Sequence, residues 1–238
     1  MRIKDILLGI LCFFGRWLHS FAIAITFGTI FGAIALALLV RGKLRVRGYG
    51  NLLQGVGRGV IIASNHPTAL ETILIQGLLC PWYYLAPSKF FIWNMPREGL
   101  VSPRFAVMTR CITITRGNPR QNAAATRKAI EKVRRGWTIL IFAEGTRTVK
   151  GRVFVDHPVH KLCRIETRVP TMAQRAEAYV LPLRIDVPNV TEELGLRASL
   201  GHVWREGIVF NFGRKFMFPR EMQLEEANRH LEQAILAC

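Results

Sequence analysis

Between Ser20 and Val40 the chain reads SFAIAITFGTIFGAIALALLV, a stretch in which no side chain carries a charge. As a helix rising about 1.5 Å per residue, it is long enough to cross roughly 30 Å of hydrocarbon. A second, shorter apolar run from Ile6 to Gly15 precedes it, separated by Arg16 and His19. Arg2 and Lys4 at the start make a cleaved signal peptide the competing reading. Against it, the apolar material continues to Val40 and no small-x-small site leads into a polar mature start. A retained N-terminal membrane anchor is therefore expected. Its form is either one spanning helix after an interfacial segment or a helical pair dipping into one leaflet. Gly28 and Gly32 would let two such helices approach closely, or are glycines that merely occur in a membrane helix.

Directly after this run, RGKLRVRGYG sets Arg41, Lys43, Arg45 and Arg47 side by side, within a chain of 33 Lys+Arg against 16 Asp+Glu. The positive-inside rule and anionic headgroups both favour the cytoplasmic side for such a cluster. The expected location is the inner (cytoplasmic) membrane, with the globular portion that follows facing the cytoplasm. A formal charge of +17 would also suit nucleic acid, but no recognised module interleaves aromatic and basic residues here. Membrane lipids or an acidic soluble partner are expected, and no nucleic acid. The cysteines at 12, 80, 111, 163 and 238 are scattered with no CxxC pair. They fit a reduced compartment, and neither a disulfide framework nor zinc. The remaining length supports one sizeable core, so the expected division is 1–47 as anchor and basic juxtamembrane linker and 48–238 as a single globular domain.

Within that domain short apolar runs alternate with helical patterns, the signature of an α/β fold with a mixed central sheet flanked by helices. Val60 to Ser64 reads as a strand, and Pro67 to about Leu79 as a helix, because proline suits a first helical turn. WYYLAP and CITITRG are strand candidates. NPRQNAAATRKAIEKVRRG is the clearest helix, with Asn118 as N-cap, Pro119 first in the helix and Gly136 the stop. WTILIFAEG, AYVLPLRIDV and GIVFNFGRKF supply three further strands. A closing helix after Pro219 sets Leu224, Leu231 and Ile235 on one side. Lys150 to Ala178 is the least readable segment.

The chemistry gathers where strands end. VIIASNHPTALE breaks from a buried strand into Asn65-His66-Pro67, and a lone carboxylate, Glu71, follows five residues after the histidine. A carboxylate so placed reaches one ring nitrogen, fixes the tautomer and leaves the other nitrogen to take a proton. ILIFAEGTRT ends a second strand in Glu144-Gly145-Thr146-Arg147, a tight turn whose backbone N–H groups and guanidinium suit an anion. Its bland alternative is an ordinary glycine turn with a solvated arginine. ITITRGN sets Arg116 past a third strand. Asp156, His157, His160 and Cys163 could be read as metal ligands, but Pro158 interrupts the helical spacing that would gather them, and no metal is expected.

These stretches resemble the motifs of the glycerolipid acyltransferases, the family typified by 1-acylglycerol-3-phosphate O-acyltransferase, in the family's order from about Gly48 to Phe218. Asn65-His66 with Glu71 matches the Asn-His-four residues-Asp motif, with Glu in the acid position as in the related lipid A acyltransferases. CITITRG matches the strand closing on Arg, at Arg116. FAEGTR, Phe142 to Arg147, matches Phe-Pro-Glu-Gly-Thr-Arg with Ala143 for proline. YVLPLRI matches the strand around a proline, at Pro182. The basic turn and Lys-Gly-aromatic element usual after the third motif have no counterpart here, which leaves the acceptor open. The resemblance implies acyl transfer from acyl-ACP or acyl-CoA to a lysophospholipid acceptor, foremost 1-acylglycerol-3-phosphate. It implies His66 and Glu71 as the catalytic pair, and Arg116, Glu144, Gly145, Thr146 and Arg147 as substrate-binding residues, with no cofactor. An acceptor such as lyso-ornithine lipid or a glycolipid, or a non-catalytic basic membrane protein binding anionic lipid or RNA, are the alternatives.

Overall fold

The computed structural model describes residues 15, 18, 21–22, 26, 28–85, 90, 92–96, 111–115, 118–150, 154–156, 162–165 and 169–238. Six strands form one sheet in the order β1-β6-β5-β2-β4-β3. They are β1 (Leu44–Arg47), β2 (Val60–Ser64), β3 (Trp93–Asn94), β4 (Ile139–Phe142), β5 (Tyr179–Asp186) and β6 (Ile208–Phe212). Only the β5–β6 pair is antiparallel; the other neighbours run parallel. The expected mixed α/β sheet is thus observed.

Helices cover both faces. On one lie α1 (Thr29–Val40), α2 (Tyr49–Gly55), α3 (Glu71–Leu78), α4 (Cys80–Leu85) and α7 (Leu196–Glu206). On the other lie α5 (Pro119–Arg134), α6 (Val169–Ala176) and α8 (Leu224–Leu236). Successive residues of β2 therefore point into different cores, Val60 and Ile62 into the first and Ile61 and Ala63 into the second. A strand buried on both faces has to be apolar throughout, which is why VIIAS carries no alternation.

Several expected elements are corrected. WYYLAP is not a strand: Cys80–Leu85 is helix α4. There the Trp82 indole N–H donates to the Tyr49 hydroxyl at 3.1 Å, which itself donates to the Leu78 carbonyl at 2.7 Å. These contacts with α2 and α3 override the β preference of the aromatic residues. The basic stretch assigned to a linker contains β1, hydrogen-bonded to β6 at the sheet edge. Its LRVR pattern buries Leu44 and turns Arg45 and Arg47 outward, a two-residue period that the density of charge conceals. The helix expected from Pro67 begins at Glu71. Residues 67–70 are held as a bend because the Glu71 carboxylate takes up the Thr68 backbone N–H. The stripe of α8 starts at Ala227, with Leu231 and Ile235, while Leu224 is exposed. Helix α5 has its expected cap, Asn118 Oδ1 accepting from the Gln121 N–H at 3.1 Å. Cys111 bridges β3 at Asn94, whereas Arg116 lies outside the described residues, as do His157 and His160.

The end of the long apolar run is α1, and it packs on protein. Ala35 and Leu38 are buried, whereas Ile30, Leu36, Leu39 and Val40 are exposed. Close approach depends on two glycines: a Cβ at Gly77 of α3 would lie 2.3 Å from the Phe31 carbonyl oxygen, and one at Gly32 would lie 2.7 Å from Cys80 Sγ. Gly32 thus serves a contact within the chain. Among the described residues no helix is long and apolar enough to cross a membrane.

Gly77→Val should push α1 away from α3 and lower stability by about 1–3 kcal/mol, the usual range for overpacking. Gly201→Ala in α7, where an added methyl meets nothing within 4 Å, should be neutral or stabilising. Thermal unfolding of both variants checks this; equal midpoints would mean that α1 is not seated on α3.

Candidate active site

Strands β2 and β4 lie parallel and in register, with Ser64 opposite Phe142. His66 and Glu144, each two residues further on, therefore emerge together from the same end of the sheet. Asn65 does not reach outward. Its side-chain amide donates to the Ile185 carbonyl at 2.8 Å and its oxygen accepts from the Ile185 N–H at 2.7 Å. The side chain prolongs the β2–β5 ladder by one rung and so fixes where His66 leaves the sheet.

The histidine main chain is held from the β4 side. Its N–H donates to Glu144 Oε2 at 2.9 Å, with Thr148 Oγ1 at 3.3 Å, and its carbonyl accepts from the Thr148 N–H at 3.0 Å. The imidazole stacks on Phe142, centroids 3.8 Å apart and planes 8° from parallel. His66 Nδ1 lies 3.2 Å from Glu71 Oε2, with the carboxylate fully buried and the imidazole 21% exposed. Glu71 Oε1 accepts from the Thr68 N–H. The two atoms face each other at ion-pair distance, and neither His66 Nδ1 nor Glu71 Oε2 makes a hydrogen bond among the described residues. A proton on Nδ1 is what this carboxylate can accept, and that leaves Nε2 as the basic nitrogen. The expected pair is therefore assembled, with Glu71 as the first residue of α3 rather than a turn inside a longer helix.

The expected anion turn is built differently from its sequence reading. Gly145 adopts φ 65°, a conformation open to glycine without penalty, and its N–H closes the turn on the Phe142 carbonyl at 3.1 Å. That amide is thereby occupied. Glu144, expected to bind substrate, is turned inward. Oε2 accepts from the His66 N–H and, at 2.6 Å, from the Thr148 hydroxyl, while Oε1 accepts from the Cys163 N–H at 2.7 Å. Burial pushes its carboxyl above the usual carboxylate range, and the hydrogen bonds from Thr148, Cys163 and His66 oppose that shift. Thr146 is half-buried at the turn. Arg147 Nη1 donates to the Leu194 carbonyl at 2.7 Å and lies 3.0 Å from Glu193 Oε1.

Sequence reasoning missed three contributors. Asn65 was visible only as part of a motif. Thr148 follows the third motif directly but has no sequence mark of its role. Ser199, fully buried in α7, accepts from the Ala69 N–H at 3.2 Å and donates to the Leu194 carbonyl at 3.3 Å. It joins the loop between His66 and Glu71 to the segment that holds Arg147, a link between residues 130 apart in sequence.

The chain is similar to known proteins. The family model described as Acyltransferase matches residues 43–186. A curated relative, the 1-acyl-sn-glycerol-3-phosphate acyltransferase of Borreliella burgdorferi, is 34% identical over 125 residues, 51% of this chain. The chain spans about half the length of that relative, 47%. Among solved structures, the 1-acyl-sn-glycerophosphate (LPA) acyltransferase PlsC from Thermotoga maritima matches with a TM-score of 0.59. The match covers 88% of this chain and 77% of that one at 18% identity, a likeness of fold.

Glu144→Gln should destabilise the fold by about 1–3 kcal/mol, because an amide group would face backbone donors and leave one unsatisfied. Denaturant unfolding measures it. A midpoint equal to wild type would show that Glu144 does not tie the His66 loop to the 163 segment.

Proposed function

The chain belongs to the acyltransferase family, and from that premise we propose that it moves a fatty acyl group from an acyl thioester to the free hydroxyl of a lysophospholipid, 1-acylglycerol-3-phosphate first among them. The observation that supports this most is the contact of His66 Nδ1 with the wholly buried Glu71 carboxylate at 3.2 Å. An imidazole so oriented is a general base at its outer nitrogen. The acceptor hydroxyl gives its proton to Nε2 as its oxygen attacks the thioester carbonyl. The tetrahedral intermediate collapses, the carbon–sulfur bond breaks, and the departing thiolate takes the proton back from the imidazolium. Bringing hydroxyl and thioester to one surface removes much of the entropic barrier, so direct transfer suffices.

With the Gly145 amide occupied, the developing oxyanion is assigned to the next two backbone N–H groups, those of Thr146 and Arg147. No described carbonyl accepts from either. Arg147, together with Arg116, is assigned to the acceptor's phosphate, for which a guanidinium offers a paired set of donors. The donor is acyl-ACP or acyl-CoA; both carry negative charge that a +17 chain attracts. The enzyme is placed at the cytoplasmic membrane with its catalytic domain facing the cytoplasm. The uncharged run ending at Val40 and the cations from Arg41 to Arg47 support that location.

With labelled acyl thioester and lysophosphatidic acid, His66→Ala should be at least roughly 10²-fold slower than wild type, the usual share of a general base. Glu71→Gln should also be severely impaired, since an amide no longer holds both the Thr68 N–H and the imidazole proton. Product is followed by mass spectrometry, and full activity in His66→Ala would end the enzymatic reading.

Attachment is tested by truncation, and the position of α1 dictates where to cut. Removing residues 1–28 keeps α1 on its core and should leave only salt-sensitive membrane binding. Removing residues 1–40 strips α1 from Leu74 and Ile75 of the core it shares and should yield aggregated protein. Carbonate washing of membranes decides; if the full chain washes off, its N-terminal run is not inserted.

A further inference from the structure

The anion turn already holds an anion. Glu193 lies 3.0 Å from Arg147 Nη1, the side chains being 36% and 20% exposed, so the pair sits at the rim where a ligand can reach it. Glu193 belongs to the connection between β5 and α7, and the adjoining Leu194 carbonyl accepts from both Arg147 and Ser199. That backbone is pinned by these two hydrogen bonds, while the Glu193 carboxylate meets Arg147 at the more exposed edge of the pair. Arg147 Nε and Nη2 make no hydrogen bond among the described residues, leaving the outer edge of the guanidinium to an incoming group.

We propose that Glu193 is a specificity-determining residue that reserves Arg147 for a phosphate monoester, an inference resting on the assignment of Arg147 to the acceptor phosphate. A tethered carboxylate acts as a competitor at an effective concentration in the millimolar range. To displace it, a ligand must bind the guanidinium better than a single negative charge does. A phosphate monoester carries about −1.5 to −2 at pH 7 with three acceptor oxygens, and it does so. A phosphodiester headgroup carries one negative charge, gains nothing over the carboxylate, and must in addition be ordered at the site. Discrimination thus arises from a built-in rival to the wrong ligand as much as from contacts to the right one.

The test compares kcat/KM of the full-length protein for lysophosphatidic acid and for lysophosphatidylglycerol of the same acyl chain, in wild type, Glu193→Gln and Arg147→Ala. Glu193→Gln should narrow the preference for the monoester by roughly 2- to 5-fold, the scale of an ion pair this exposed, chiefly through a lower KM for the diester. Arg147→Ala should lose the preference by losing activity on lysophosphatidic acid. If Glu193→Gln leaves the ratio unchanged or lowers both acceptors together, while Arg147→Ala selectively loses lysophosphatidic acid, Glu193 is only a strap and the filter is wrong, with the phosphate assignment intact. If Arg147→Ala lowers both acceptors equally, the phosphate assignment fails and the filter with it.

Discussion

The site depends on one buried carboxylate whose oxygens are taken up by the protein's own donors. Glu144 gathers the His66 N–H, the Thr148 hydroxyl and the Cys163 N–H onto two oxygens. These donors come from the end of β2, from the turn after β4, and from a segment whose Val155 N–H pairs with the Leu162 carbonyl. Burying a carboxylate costs several kcal/mol unless its oxygens are satisfied, so the three pieces are locked together or the charge is stranded. The same locking positions the imidazole: with the His66 main chain held and its ring lying on Phe142, rotation that would carry Nδ1 away from Glu71 is opposed from two directions.

A second constraint is the covering of the sheet. Its central strands are buried on both faces, so it needs helices on each, and α1 is one of them. A segment apolar enough for lipid is therefore shared: Ala35 and Leu38 complete a protein core while Leu36, Leu39 and Val40 face outward. Arg41 stands over the Trp204 ring, 4.3 Å from its centroid, beside this outward edge. Helix α1 and the domain are thus continuous in packing, and β1 carries that continuity into the sheet.

The central strands, the capped helix α5 and the pairing of His66 with Glu71 were legible in sequence because each rests on local chemistry. Apolar runs of strand length, Asn-Pro at a helix start, and a histidine followed at short distance by a carboxylate keep their meaning wherever the chain goes. Helix α4 and strand β1 were not legible. Aromatic residues in WYYLAP and arginines in LRVR outweigh, in a local reading, the tertiary partners that determine their state: Tyr49 beneath Trp82 in one case, β6 beside β1 in the other.

By itself the sequence determined which residues are chemically able to act: one histidine with its carboxylate, a glycine turn with its arginine, and an apolar run with cations behind it. Which of them face a ligand was decided only by the tertiary structure. Glu144 turns inward because a parallel register brings it under the His66 amide, 78 residues away in sequence. Arg147 meets Glu193 because the β5–α7 connection returns across the same sheet end. Such pairings depend on strand order and on hydrogen bonds between distant segments, and no local pattern of side chains contains either.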